Sequence, residues 1–168
     1  MFKNILLISL LVFGVTMAQA KKPKTAENGL MVKVDYTGTL TDGRIFDSSK
    51  GSEPLTFVLG AGKLLPKFEE AVRGMKIGQE KLITLKAKEA YGDYDRDKIM
   101  EVPTSKIPQD IKAGEAISLR MPYGNVPARI IDKGDEVSHI DTNHFLAGKD
   151  LIFDIKLLDI IDSPIIKS

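Results

Sequence analysis

The chain has no cysteine and no tryptophan, only two histidines, and no apolar run long enough to span a bilayer. Each absence removes a class of function. Without cysteine there is no disulfide framework, no thiolate nucleophile and no lipid-attachment thiol, so the fold must stand on its packed core. His139 and His144 are five apart with no supporting carboxylate pattern, which favours a structural or solvated role over metal ligation. No metal or other cofactor is expected. Gly60-Ala61-Gly62 lacks the Lys-Ser/Thr pair and the spaced third glycine of a phosphate loop, which argues against nucleotide chemistry. An excess of one charge is missing as well: 24 basic residues face 23 acidic ones, and Lys3 accounts for the difference. That balance argues against a phosphate-binding surface for nucleic acid, with Lys21-Lys22-Pro23-Lys24 a local exception.

The longest apolar stretch, Ile5 to Met17, follows Lys3 and precedes Ala18-Gln19-Ala20. That layout predicts a cleaved secretory signal over residues 1–20. Thirteen residues fall short of the roughly twenty that a hydrocarbon core requires, so no stable membrane span is expected. The mature product is expected in the periplasm or outside the cell. Residues 21–29, which open on Lys21-Lys22-Pro23-Lys24, are read as a flexible lead-in.

What remains is one ordinary domain or one domain with an insertion. Leu30, Val32, Val34 and Tyr36 alternate with polar residues, as do Ile83, Leu85 and Ala87, and Leu151, Phe153, Ile155 and Leu157. Period two predicts half-buried strands. Leu55 to Leu59 is a further apolar strand, whereas Leu64, Leu65, Phe68, Ala71, Val72 and Met75 recur at helical spacing with Pro66 in the first turn. Several strands with one wet face and a single helix predict an α+β fold, an antiparallel sheet wrapped on one short helix. The span from Gly92 to Ile152 is too long for a structureless loop. Strand-like stretches at 116–121, 126–131 and 136–141, with a turn at Tyr123-Gly124-Asn125, predict a small β-rich domain inserted over residues 97–142. Its host is then discontinuous, residues 30–96 and 143–162. Pro127 suits an edge strand.

The hairpin from Tyr36 to Ser49 carries chemistry. Asp42-Gly43 is a type I′ signal, and a two-residue loop sets Leu40 opposite Ile45, Gly38 opposite Asp47 and Tyr36 opposite Ser49. Tyr36 and Asp47 then become diagonal neighbours on the face of Val32 and Val34. A carboxylate on an apolar face needs a partner, and the Tyr36 hydroxyl can donate to it. Tyr91 sits between glycine-flanked segments, where packing explains an aromatic less easily. For Tyr36, Phe68 and Phe153, pattern alone makes core packing the default. Aromatic and aliphatic surface around one carboxylate suits binding an extended apolar peptide better than bond cleavage.

Val34-Asp35-Tyr36-Thr37-Gly38, Asp42-Gly43-Arg44-Ile45-Phe46-Asp47-Ser48-Ser49, Ala90-Tyr91-Gly92 and Phe153-Asp154-Ile155 resemble the FKBP family of peptidyl-prolyl isomerases. Tyr91-Gly92-Asp93-Tyr94-Asp95, the insertion, and Asn143-His144-Phe145-Leu146-Ala147-Gly148 resemble its SlyD-like branch, in which a chaperone domain replaces the flap. The resemblance covers about residues 30–161. It implies cis–trans isomerisation of Xaa-Pro bonds in unfolded or proline-containing polypeptides, by a monomer. It also implies a pocket of Tyr36, Phe46, Asp47, Leu64, Leu65, Tyr91 and Phe153 floored by Phe68, with Leu146 as a further substrate contact. Phe68 stands where the family often has tryptophan, and Leu55 where an aromatic is common. The resemblance implies that Asp47, Tyr91, Tyr36 and Phe153 act on the amide and that Phe46, Leu64, Leu65, Phe68 and Leu146 bind substrate. If Phe46 lines the pocket beside Asp47, the strand must twist or bulge near Asp47, because ideal alternation turns neighbouring side chains apart. Two other readings stay open: a pocket that holds proline segments without turnover, and a holdase chaperone. A metal-handling role, known from relatives with histidine-rich tails, is not expected of a chain ending Ser163-Pro164-Ile165-Ile166-Lys167-Ser168.

Overall fold

The computed structural model describes residues 24–122 and 124–161. The expected leader (1–20), residues 21–23, Tyr123 of the expected turn and the terminal 162–168 lie outside the described residues. In chain order the elements are β1 (Met31–Leu40), β2 (Ile45–Ser48), β3 (Leu55–Val58), α1 (Pro66–Val72), β4 (Glu80–Leu85), β5 (Ile99–Pro103), β6 (Ala116–Met121), β7 (Gly124–Lys133), β8 (Val137–Asp141) and β9 (Leu151–Ile161). All strand pairs are antiparallel. This is the expected α+β architecture.

The first sheet runs β2-β1-β9-β4, with β3 pairing the other half of β1. Its inner face follows from alternation: Val32, Val34 and Leu40 on β1 and Leu151, Phe153, Ile155 and Leu157 on β9 are buried. A register shift opposite Lys33/Val34 admits Leu158 as an extra residue in β9. Beyond it Ile160, rather than Asp159, faces the core. Helix α1 begins at Pro66, whose missing N–H costs nothing in a first turn. It lays Phe68 and Val72, four apart on one face, onto the sheet. Each such side chain contributes about 1.5–3 kcal/mol by leaving water.

The lead-in is less free than expected. Thr25 bridges to Lys76, Ala26 is fully buried, its N–H donates to the Met75 carbonyl at 2.8 Å, and Gly29 N–H donates to Leu59. Alanine is small enough to enter the crevice between the helix exit and β1, so residues 24–29 are part of the packed body, a correction to the flexible reading.

Between β4 and β9 a second sheet runs β5-β8-β7-β6 around Ile107, Ala128, Ile130 and Ile140. β5 went unanticipated because Ile99-Met100-Glu101-Val102-Pro103 shows no clean alternation. β7 is a central strand, but β8 pairs it only from Arg129 onward. At Pro127 only β6 lies alongside, across from Ser118, and the missing N–H faces the unpaired side as an edge requires. The two chain crossings are tied together. Tyr94 Oη donates to Asp141 Oδ2 at 2.9 Å, Asn143 Nδ2 to the Asp95 carbonyl at 2.7 Å, and Asp95 N–H to Asn143 Oδ1 at 3.1 Å. Burial opposes the Asp141 charge, but hydrogen bonds from Asn143 and Tyr94 outweigh it and hold the carboxyl below its ordinary value. Among the described residues no helix is long and apolar enough to cross a membrane.

Candidate active site

The β1–β2 hairpin differs from expectation at its tip and agrees at its base. Gly43 takes φ of 85°, but no described non-glycine residue has positive φ, so the turn is not type I′. Gly43 N–H donates to Leu40 and Leu40 N–H to Arg44, each at 2.9 Å, which closes a three-residue loop ending in a left-handed glycine. The cause is local: Asp42 accepts from Arg44 N–H at 3.0 Å and Arg44 Nε at 2.8 Å, which favours a turn of ordinary backbone at Asp42. Ile45 therefore faces Thr39, not Leu40. Phe46 is then the extra residue of a bulge, and the register returns to Gly38 opposite Asp47 and Thr37 opposite Ser48. The bulge lets Phe46 and Asp47 address the same cavity.

That cavity encloses about 310 Å³ and is lined by Tyr36, Phe46, Asp47, Leu64, Leu65, Phe68, Tyr91 and Phe153, with Leu55, Lys63 and Pro66. Phe153 stands at its centre. Its ring meets Phe68 at 5.3 Å and 81° and Phe46 at 5.6 Å and 88°, while Tyr36 meets Phe68 edge-on at 5.9 Å. Edge-to-face packing of this kind holds rings in fixed orientation. Gly38 makes room for it: a Cβ there would lie 2.5 Å from the Phe46 ring and 3.1 Å from Phe153.

Tyr36 Oη donates to Asp47 Oδ2 at 2.6 Å. Burial first, then the hydrogen bond and charge of Asp47, push the Tyr36 hydroxyl up to about 12, so it remains a donor at neutral pH. Asp47 itself is exposed at the cavity mouth, not sunk in an apolar face, because the bulge turns the strand outward there. Leu64 and Leu65 form one wall on the loop entering α1. Leu65 N–H has no hydrogen-bond partner among the described residues. Tyr91 follows a 3₁₀ turn at Ala87–Glu89 and stacks on His144 at 3.8 Å and 5°. Its hydroxyl has no partner among the described residues.

Leu146 is a correction. It is only 2% exposed and belongs to the core of the first sheet. The turn before β9 directs it inward while His144 and Phe145 stay outside. The sequence reading also missed Glu69, a carboxylate 4% exposed. It accepts from Gly60 N–H at 2.7 Å and Leu64 N–H at 3.3 Å, tying the wall loop to α1. Its position on the Phe68 side of a short helix was a signal, but a polar residue there reads equally well as solvated.

No serine, threonine, cysteine or histidine lines the cavity, and no group of three or more potential metal ligands occurs among the described residues. The arrangement is an aromatic cavity with Lys63 on its wall and the Asp47 carboxylate exposed at its mouth. Fold and site together define an antiparallel α+β domain with an aromatic cavity open to solvent. Residues 22–158 match the family model of FKBP-type peptidyl-prolyl cis-trans isomerases. The chain is 35% identical over 149 residues to the short-type peptidyl-prolyl cis-trans isomerase of Methanocaldococcus jannaschii, spanning 80% of this chain and 93% of the relative. It is 30% identical to the SlyD isomerases of Aeromonas hydrophila, over 77% of this chain and 62% of the relative, and of Escherichia coli K12, over 78% and 68%. The chain belongs to the FKBP-type peptidyl-prolyl cis-trans isomerases: it is an enzyme that binds proline-containing polypeptides.

Proposed function

We propose that this isomerase accelerates Xaa-Pro rotation in exported polypeptides, and that residues 97–142, inserted in a host of residues 30–96 and 143–162, hold unfolded segments for it. The observation that carries the second part is an apolar groove of about 490 Å³ that includes Met100, Val102, Ile117, Leu119 and Met121. Ile117, Leu119 and Met121 stand half-buried on β6, an edge strand whose free backbone can pair with an extended chain. Flexible Met and Ile surface adapts to varied partners. The leader-like residues 1–20 support export and a periplasmic or extracellular setting.

The barrier to rotation, about 18–20 kcal/mol, comes from amide resonance, and only preferential binding of the twisted amide lowers it. Phe46, Phe68 and Phe153 grip the proline ring while Leu64 and Leu65 shut out water. Leu65 N–H and Tyr91 Oη are donors for peptide carbonyls. Asp47, held by Tyr36, supplies a fixed field at the rotating bond. No proton is transferred and no covalent bond forms.

Replacing residues 97–142 by a short loop should leave isomerisation of a proline tetrapeptide nearly intact and weaken catalysis of a proline-limited refolding reaction. Equal loss of both activities would count against the division of labour. Asp47→Ala, Tyr91→Phe and Phe153→Ala should each slow the tetrapeptide reaction, and indifference to all three would overturn the site roles.

A further inference from the structure

The isomerase pocket does not end at Tyr91. That ring lines the proline cavity on one side and stacks on His144 on the other. His144 in turn lies 4.8 Å from Phe145, and both line a separate groove of about 670 Å³ between the second sheet and the turn before β9, whose remaining walls include Tyr94, Pro127, Ala128, Arg129 and Ala147. Three aromatic rings thus run without a break from the proline cavity into the groove.

Two observations give the groove a ligand-binding character. Phe145 is 58% exposed and Tyr94 45%, although their neighbours Leu146 and Ala147 already supply the buried side chains of that turn. Large apolar side chains grouped around a concavity mark a place where something else packs. Further, the walls are fixed beforehand, because the Tyr94–Asp141 and Asp95–Asn143 hydrogen bonds lock the crossings on which they hang. A preorganised groove loses less on binding.

We propose that this groove is a continuation of the substrate site and takes an apolar side chain, aromatic by preference, from the same polypeptide whose proline occupies the cavity. The occupant follows from continuity: a polypeptide seated in the proline cavity and leaving past Tyr91 meets His144 and Phe145 next. The inference rests on the isomerase reading of the pocket. Tyr91 to His144 and His144 to Phe145 are steps of 3.8 and 4.8 Å between ring centres. Counted from the Tyr91 ring, which walls the proline cavity, an extended rise of about 3.3 Å per residue puts the occupant about three residues along from the residue that touches Tyr91.

The test uses the full chain and ten-residue peptides with a central Xaa-Pro bond, carrying either phenylalanine or serine three residues from the proline on each side. A phenylalanine that is only partly buried on binding should raise kcat/KM about tenfold over the serine peptide, through KM. Phe145→Ser on one wall and Pro127→Glu on the other should each bring that ratio close to one. A ratio near one in the unaltered chain, or a ratio that survives either substitution, overturns the proposal. A proline tetrapeptide measured alongside reads the isomerase activity separately. Should it not turn over, the same ratios are taken from binding of the two longer peptides by fluorescence anisotropy.

Discussion

The two sheets obey the same alternation and end differently. Between the sheet of β1, β2, β3, β4 and β9 and the segments that cover it, sixteen apolar side chains are buried in one cluster, because α1 and the segments around it close over the inner face. In the sheet of β5–β8 the buried cluster has four members, and only the stretch carrying Ile107 and Ile111 lies over it. The inner residues of β6 therefore stay half-buried, while Ile131 and Val137 stand exposed on the far side. Alternation decides which side chains share a face, but whether that face becomes core or contact surface depends on what lies over it. The larger sheet can hold rings in fixed orientation around a cavity, and the smaller one offers adaptable apolar surface.

The sharpest way to break this comparison is to remove the small core. Ile130→Ala, at a fully buried site, should cost about 2–5 kcal/mol. Hydrogen exchange should show that loss in β5–β8, with protection in β1 and β9 retained; a single transition for both sheets would mean that they are one cooperative unit. Next in size is Glu69→Ala, which leaves the Gly60 and Leu64 N–H groups without their acceptor at a cost of about 1–3 kcal/mol. It should lower the melting temperature and raise KM for a proline tetrapeptide, since the wall loop loses its tie.

Gly38→Ala sets a methyl group against the Phe46 ring and should reduce kcat/KM on the order of tenfold to a hundredfold through misplaced pocket walls. Phe46→Leu in the same chain should recover part of the loss, and absence of any recovery would show that the steric account is wrong. The smallest effect concerns His139, whose hydrogen bond to and proximity of Asp132, at 3.0 Å, raise its pKa, with Glu101 adding to the effect. A raised folded-state value stabilises the protonated form. The contribution is therefore present in full below the ordinary histidine range and fades as pH rises through the folded value. His139→Gln should remove a slight gain in the urea midpoint of the small sheet between about pH 8 and pH 5, slight because all three side chains are exposed.

The facing of the cavity's regular strand residues was legible from parity, whereas their membership of a pocket was implied only by the family resemblance. Tyr36 and Phe153 lie where alternation puts them, and the base register of the hairpin survives although its tip was misjudged. One extra residue in the turn and one in the bulge offset each other, so Gly38 still meets Asp47. Leu146 was misjudged because it belongs to a turn, where no period dictates direction. Glu69 escaped notice because a buried carboxylate is indistinguishable in sequence from a solvated one until its two N–H donors, five and nine residues away, are in place. β5 lacked a pattern because it carries apolar residues on both faces, Ile99 on one and Met100 and Val102 on the other.

By itself the sequence determined the strand faces, the helix, the family and the ring-bearing positions, since these depend on local periodicity and on motifs of fixed spacing. Tertiary structure alone decided that a bulge at Phe46 offsets the extra residue of the hairpin turn, that residues 24–29 pack into the body, and that Tyr91, His144 and Phe145 form one stack. Each of these depends on a bulge, a crevice or a turn, where the backbone departs from its repeat and the direction of a side chain is set by whatever it meets.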